Sequence, residues 1–309
     1  MSVQSNQSAE LKGAELLPDP AELSTMNYSQ HTHDTAPTRF AQVGENRFAY
    51  RRFGNPVGTP IVLLQHFMGN LDNYDPAITD ALATHREVIL TDNAGVGLST
   101  GEAPKTVSAM ARDAASLIDA LRLERVDLFG FSMGGYVAQE IALERAELVR
   151  RLILVGTGPR GGEGMAELAP DTAPLFRKAY DPQDLMWLPI FFSPSDPSQT
   201  AGRRFLERIR ARTEDRDLEV SQATVAAHSV AAREWGAPSP GGFDYLKRIS
   251  LPTLVVNGSN DIVVPTVNSY ILQQNLPDAE LILLPDSGHG SHFQFPERFN
   301  RYASDFLNR

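Results

Sequence analysis

A serine set among glycines, Gly130-Phe131-Ser132-Met133-Gly134, stands at the seam between two segments of opposite character. Val126-Asp127-Leu128-Phe129 before it is short and apolar and reads as a buried strand, whereas Gly135 to Leu143 after it reads as a helix. A chain that passes from strand to helix within so few residues turns sharply, and the serine at the apex is held in a strained conformation. Only small neighbours leave room for that turn, which the glycines at 130, 134 and 135 supply. The turn lifts the Ser132 hydroxyl clear of the sheet. It also aims a helix N-terminus at the place where negative charge would develop during attack on a carbonyl.

The rest of the chain repeats the alternation. Phe40 to Phe53 reads as a hairpin about Val43-Gly44-Glu45-Asn46. Buried strands are expected at Ile61–Leu64, Glu87–Leu90, Leu152–Val155, Thr253–Val256 and Leu281–Leu284. Helical patterns separate most of them: Val107, Met110, Ala111, Ala114, Leu117, Ile118 and Leu121 share one face, and a last helix covers Phe295 to Leu307. Such alternation predicts an α/β chain with a mostly parallel central sheet flanked by helices on both faces. Residues 157–242 break the rhythm with glycine and proline clusters, charged helical pieces such as Arg203 to Arg212, and no strand pattern. They read as a helical cap inserted into a core of residues 39–156 and 243–309. Residues 1–38 are polar and read as a loosely attached extension, partly disordered, in which Leu11, Leu16, Leu17 and Leu23 could still dock. His31-Thr32-His33-Asp34 within it has metal-like composition but reads as an ordinary tail, so no metal site is expected.

Composition narrows the function classes. The net charge of -10 argues against nucleic acid and against an anionic membrane surface. The absence of cysteine excludes disulfides, thiolate metal sites and a cysteine nucleophile. The first residues carry no basic and apolar leader, and no apolar run reaches the roughly 18 residues a membrane span needs, so the cytoplasm is the expected compartment.

A serine hydroxyl needs a base within hydrogen-bond reach, and that base needs a carboxylate to hold its tautomer. On a strand-turn-helix serine of this kind the order along the chain is Ser, then Asp or Glu, then His, with the partners in loops at strand carboxyl ends. His289, in Pro285-Asp286-Ser287-Gly288-His289-Gly290 just past a strand, is the leading base, with His292 as its neighbour and competitor. His31 and His33 lie in the tail, His85 precedes a strand, His66 follows one, and His228 falls in the cap. Asp261, in the loop Asn257-Gly258-Ser259-Asn260-Asp261 after the Thr253 strand, is the leading acid. Asp286 is nearer His289 in sequence and reads instead as a cap of its loop. The backbone amide of Met133 and one from Gln65-His66-Phe67-Met68-Gly69-Asn70, with Phe67 as its donor, would hold the oxyanion. Asp92-Asn93-Ala94-Gly95-Val96-Gly97-Leu98-Ser99 lacks the lysine and spacing of a phosphate cradle and reads as a structural turn near the site.

These motifs together resemble the α/β-hydrolase superfamily, from about Phe40 to Leu307 apart from the cap. They are most similar to small bacterial serine esterases and to the cofactor-free haloperoxidases (perhydrolases). The resemblance implies the α/β-hydrolase fold, with Ser132, Asp261 and His289 as nucleophile, acid and base and Phe67 and Met133 as oxyanion donors. One departure stands out. The family often has His-Gly before the first oxyanion residue, where this chain has Gln65 and His66, so His66 is expected to shape the pocket. Trp187, Phe191 and Phe192 of the cap are read both as an apolar substrate pocket and as cap-to-core packing.

The expected activity is hydrolysis of a small-molecule carboxylic ester or lactone through an acyl-enzyme, with no cofactor, by a monomer or homodimer. Acyl transfer, including perhydrolysis, would use the same residues. A serine at the elbow is unlike the aspartate of haloalkane dehalogenases and epoxide hydrolases. Carbon–carbon bond hydrolases of this fold usually place asparagine before the serine, where this chain has Phe131. Carbon–carbon bond hydrolysis and a ligand-binding protein on a hydrolase fold are the remaining alternatives.

Overall fold

The computed structural model describes residues 28–309. Among them, eight strands form one sheet: β1 (Arg39–Val43), β2 (Asn46–Gly54), β3 (Ile61–Leu64), β4 (Glu87–Thr91), β5 (Val126–Phe131), β6 (Val149–Val155), β7 (Thr253–Gly258) and β8 (Ala279–Leu284). Their spatial order is β1-β2-β4-β3-β5-β6-β7-β8. The Gly44 turn closes β1 and β2 into the expected hairpin, and β2 joins β4 antiparallel. From β4 through β8 every pairing is parallel.

Side chains alternate across the strands, so each strand feeds two cores. Val62, Leu64, Leu128, Leu152, Leu154 and Val255 face one of them, together with helices α2 (Val107–Ala120) and α3 (Met133–Glu144). Ile61, Leu63, Phe129, Phe131, Ile153 and Val256 face the other, with α1 (Pro76–Ala83) and the C-terminal Phe299, Ala303 and Phe306. Burial on both faces is why these strands read as unbroken apolar runs. Order along the chain also sets function. β3 and β5 are neighbours, with Leu64 opposite Gly130, so the loop after β3 emerges beside Ser132. Crevices of this kind, at strand carboxyl ends where the strand order reverses, are where open α/β sheets bind ligands.

Between β6 and β7 lie α4 (Ala173–Arg177), α5 (Trp187–Phe191), α6 (Asp196–Ile209) and α7 (Gln222–Gly236), and no strand. The charged stretch read at Arg203 to Arg212 lies within α6 as far as Ile209 and ends beyond it, and the helix begins earlier because Ser195 caps it, accepting from the Ser198 amide, and Pro197 sits in its first turn. Ser221 caps α7 in the same way. Polar anchors tie the end of α6 and the following segment to the core. Arg208 donates twice to Asp75, at 2.7 and 2.6 Å. Arg51, fully buried, donates to Asp72 at 2.7 Å and to the Asp215 carbonyl at 3.0 Å. The Asp217 amide donates to the other oxygen of Asp72 at 2.9 Å. Two more helices, α8 (Val267–Asn275) and α9 (Ser291–Gln294), lead to the last one, α10 (Pro296–Leu307). No helix among the described residues is long and apolar enough to cross a membrane.

The expectation of a loosely attached extension fails for its last eleven positions, 28–38. Tyr28, His33 and Ala36 are buried. The His33 ring bonds Thr79 Oγ1 through Nδ1 at 2.9 Å, and its amide donates to Asp80. Burial, reinforced by the charges of Arg51 and Arg212, pushes the His33 pKa down to about 3, so the ring is a neutral core group. Arg212 gathers the carbonyls of His33, Asp34 and Ala36, a tertiary contact that no local pattern announces. The leucines at 11, 16, 17 and 23 lie outside the described residues.

Candidate active site

Ser132 sits where β5 ends and α3 begins, with φ 55° and ψ -117°. A serine in this region is strained, and it persists because the surroundings fix it. Its amide donates to the Val155 carbonyl at 2.9 Å, and its own carbonyl accepts from Thr157 Oγ1 at 2.8 Å. The flanking glycines are required by contact rather than by their own dihedrals. A Cβ on Gly130 would lie 2.5 Å from the Gly134 carbonyl oxygen, and one on Gly134 would be driven into the Leu64 carbonyl.

His289 projects from the loop after β8. Its Nε2 lies 2.8 Å from Ser132 Oγ, and its Nδ1 lies 2.8 Å from Asp261 Oδ2. Since Nδ1–H donates to the carboxylate, Nε2 carries the lone pair that accepts the serine proton. The Asp261 side chain is fully buried, and its Oδ1 accepts the amides of Val263 at 2.8 Å and Val264 at 3.0 Å. The loop holding His289 is fastened to α5, for the Gly290 amide donates to the Phe191 carbonyl at 2.9 Å. The two competitors are placed elsewhere. Asp286 is exposed and accepts from Ser195 Oγ at 2.6 Å. His292 is buried among Phe129, Phe131, Phe293 and Phe299, and burial together with His289 and His66 holds its pKa well below the usual range.

Met133 opens α3, where the first amides of a helix have no partner within it. The facing loop after β3 is a tight turn in which the Gly69 amide donates to the His66 carbonyl at 3.0 Å and Met68 takes φ 62°. Two side chains brace this turn. Gln65 accepts from the His66 amide and donates to the Asn70 carbonyl, each at 2.9 Å. His66 Nδ1–H donates to the Phe67 carbonyl at 2.8 Å. The His66 ring is enclosed edge-on by Phe131, Trp187 and Phe191, at 4.8 to 5.2 Å between centroids. Burial lowers its pKa to about 3 and keeps it neutral.

The position where glycine was expected is therefore filled by a side chain that pins the left-handed Met68 peptide. Asparagine places an amide N–H where Nδ1–H stands, whereas glutamine places it where Nε2 stands. His66→Asn is thus expected to retain kcat within about 5-fold, while His66→Leu loses the bond that holds the Phe67 peptide and is expected to drop kcat by about 10²-fold if the Phe67 amide receives the oxyanion. Equal losses in the two variants would show that the ring's bulk, and not its bond, is what matters.

Trp187 stacks on Phe191 at 4.7 Å, and both meet His66, whereas Phe192 packs instead against Phe205 at 5.8 Å. The Asp92 loop is a structural turn: Asp92 is buried, and its burial and the neighbouring Asp217 hold its carboxyl well above the usual carboxylate range. Sequence reasoning missed Thr157, which steadies the Ser132 carbonyl. It also assigned no role to His228, which lies 6.0 Å from the Phe67 ring. The signal for His228 was present, because Thr224, His228, Ala231 and Trp235 fall on one helical stripe.

Comparison with known proteins agrees with this architecture. Residues 59–296 match the family model described as the alpha/beta hydrolase fold. An alpha/beta hydrolase fold protein from Chitinophaga pinensis superposes with a TM-score of 0.85 at 40% identity, covering 90% of this chain and 99% of that one. Est816, described as an N-acyl homoserine lactone degrading enzyme, superposes with a TM-score of 0.68 at 26% identity, over 86% of this chain and 99% of its own. A Rhizobium rhizogenes relative named for carbamate hydrolysis is 28% identical over 249 residues, which are 80% of this chain and 92% of that protein.

Proposed function

This chain belongs to the α/β-hydrolase family, and on that premise we propose that it is a serine hydrolase that cleaves a carboxylic ester or lactone through an acyl-enzyme. The observation that carries the proposal is the continuous relay from Ser132 Oγ through His289 to Asp261, with both links at 2.8 Å. Ser132 Oγ attacks the substrate carbonyl carbon as His289 Nε2 takes its proton. The amides of Met133 and Phe67 receive the oxyanion. Collapse of the tetrahedral intermediate expels the alkoxide, which leaves with the proton from Nε2. A water, deprotonated by the same nitrogen, then attacks the acyl carbonyl and returns Ser132 to its starting state. In a lactone the alkoxide stays tethered to the acyl group until that second attack.

The lactone named for Est816 is an acyl group bearing an oxygen leaving group, the chemistry such a relay serves, and the carbamate named for another relative is likewise attacked at a carbonyl carbon. The strained apex at Ser132 supports the same reading, since a residue held at φ 55° gains nothing for the fold. Intact mass after fluorophosphonate treatment tests the proposal. A single adduct is expected on wild type and none on Ser132→Ala. No adduct on folded wild type would refute an activated serine.

A further inference from the structure

Helix α7 turns one stripe of side chains inward, and Thr224, His228, Ala231 and Trp235 on it are all buried. Two of its polar members are fastened at either end. Thr224 Oγ1 donates to the Gly95 carbonyl at 2.6 Å, and Trp235 Nε1 donates to the Gly158 carbonyl at 3.2 Å. Trp235 also stacks on Tyr136, one turn beyond Ser132, at 5.2 Å. The helix is thereby fixed across the loops that follow β4 and β6. His228 lies between the two anchors, fully buried, with its ring 6.0 Å from that of Phe67. Neither of its ring nitrogens has a hydrogen-bond partner.

A buried imidazole with two unpartnered nitrogens is a poor choice for packing alone, because an apolar side chain would fill the same space at lower cost. Burial lowers the His228 pKa to about 4, so the ring is neutral, with one nitrogen a donor and the other an acceptor. His66 adds a second unpartnered nitrogen nearby. Its Nδ1–H is committed to the Phe67 carbonyl, so its Nε2 can only accept. Two such groups flank the residue whose amide would hold the scissile carbonyl oxygen. A substrate oxygen that reached His228 beside the Phe67 ring would be carried by the acyl unit whose carbonyl the Phe67 amide would hold.

We propose that His228 recognises a hydroxyl or keto oxygen on the acyl group, so that the substrates are hydroxyacyl or ketoacyl esters or lactones rather than plain alkanoyl ones. This rests on the serine-hydrolase reading. A site built to hydrogen-bond a substrate oxygen discriminates strongly against the analogue that lacks it, whereas an apolar site barely distinguishes the two.

The test compares kcat/KM for the phenyl esters of 3-hydroxybutyrate, acetoacetate and butyrate. Wild type is expected to favour at least one oxygenated ester over butyrate by about 10-fold or more. The hydroxy ester can donate and accept whereas the keto ester only accepts, so their order tells which nitrogen is used. In His228→Leu that preference is expected to collapse toward unity while the melting temperature holds or rises. His228→Gln, which keeps a donor and an acceptor, is expected to retain most of the preference. A wild-type ratio near one, with Ser132 still labelled by fluorophosphonate, overturns the proposal and leaves the hydrolase reading standing. So does an unchanged ratio in His228→Leu. Absence of both labelling and hydrolysis overturns the two together.

Discussion

Ser132→Ala is expected to lower kcat for a carboxylic ester by about 10⁵- to 10⁶-fold, the loss that follows when a nucleophile working as one unit with its base is removed. Asp261→Asn is expected to cost about 10⁴-fold, for a reason visible in its contacts. Oδ1 accepts two amides, from Val263 and Val264, so an asparagine keeps its oxygen there and turns its NH₂ toward His289. The imidazole must then accept at Nδ1 and carry its proton on Nε2, where it can no longer receive one from Ser132. The double variant is expected to be no slower than Ser132→Ala alone, because the residues act together. Single-turnover and steady-state rates on one chromogenic ester check all three. Additive losses would mean that Asp261 acts elsewhere, and the same kcat in Ser132→Ala as in wild type would end the mechanism.

The largest expected effect on folding is at Arg51. It is fully buried, and it joins β2 to Asp72, to the Asp215 carbonyl beyond α6, and to Thr38 Oγ1 at 3.1 Å. Arg51→Ala leaves the Asp72 carboxylate buried without its main partner, which typically costs about 3–5 kcal/mol. Arg216, 3.3 Å from the other Asp72 oxygen, offsets part of this and favours the lower end. At roughly 2–3 °C per kcal/mol the melting temperature is expected to fall by about 6–12 °C. Arg51→Met combined with Asp72→Leu removes both charges and is expected to recover most of the loss. Thermal unfolding of wild type and the two variants decides it: a double variant as unstable as Arg51→Ala would mean that the three-way hydrogen bonding matters more than the buried charge.

Much of the site was legible because its parts are local. The strand before Ser132, the glycines around it and the helix after it are neighbours in the chain, and steric demand alone selects them. His289 and Asp261 were legible for a related reason. Each follows a short apolar strand, and parallel strands bring their carboxyl ends to one edge of the sheet. Asp286 shows the limit of nearness in sequence. It lies only three residues from His289 yet faces solvent and Ser195, while Asp261 reaches the imidazole across the gap between β7 and β8.

The aromatics of α5 and the residue after it show a second limit. Trp187, Phe191 and Phe192 look alike as apolar residues, but only packing separates the two that enclose His66 from the one that fills the space beside Phe205. Residues 28–38 show a third. Their polar composition suggests a loose tail, and three carbonyls gathered by Arg212, far along the chain, make it part of the core.

What the sequence determined by itself is the alternation of apolar strands and amphipathic helices, and hence a mostly parallel sheet with a serine at a sharp turn after one of its strands. Periodicity and the space around glycine are properties of adjacent residues, so they are written in order along the chain. Only the tertiary structure decided that Trp187 and Phe191 enclose His66, why a histidine stands beside Phe67, and that His228 stands unpartnered against that same residue. Those outcomes depend on groups separated by tens to hundreds of positions. Their hydrogen bonds and burial exist only once the sheet has brought them together, and no local pattern encodes them.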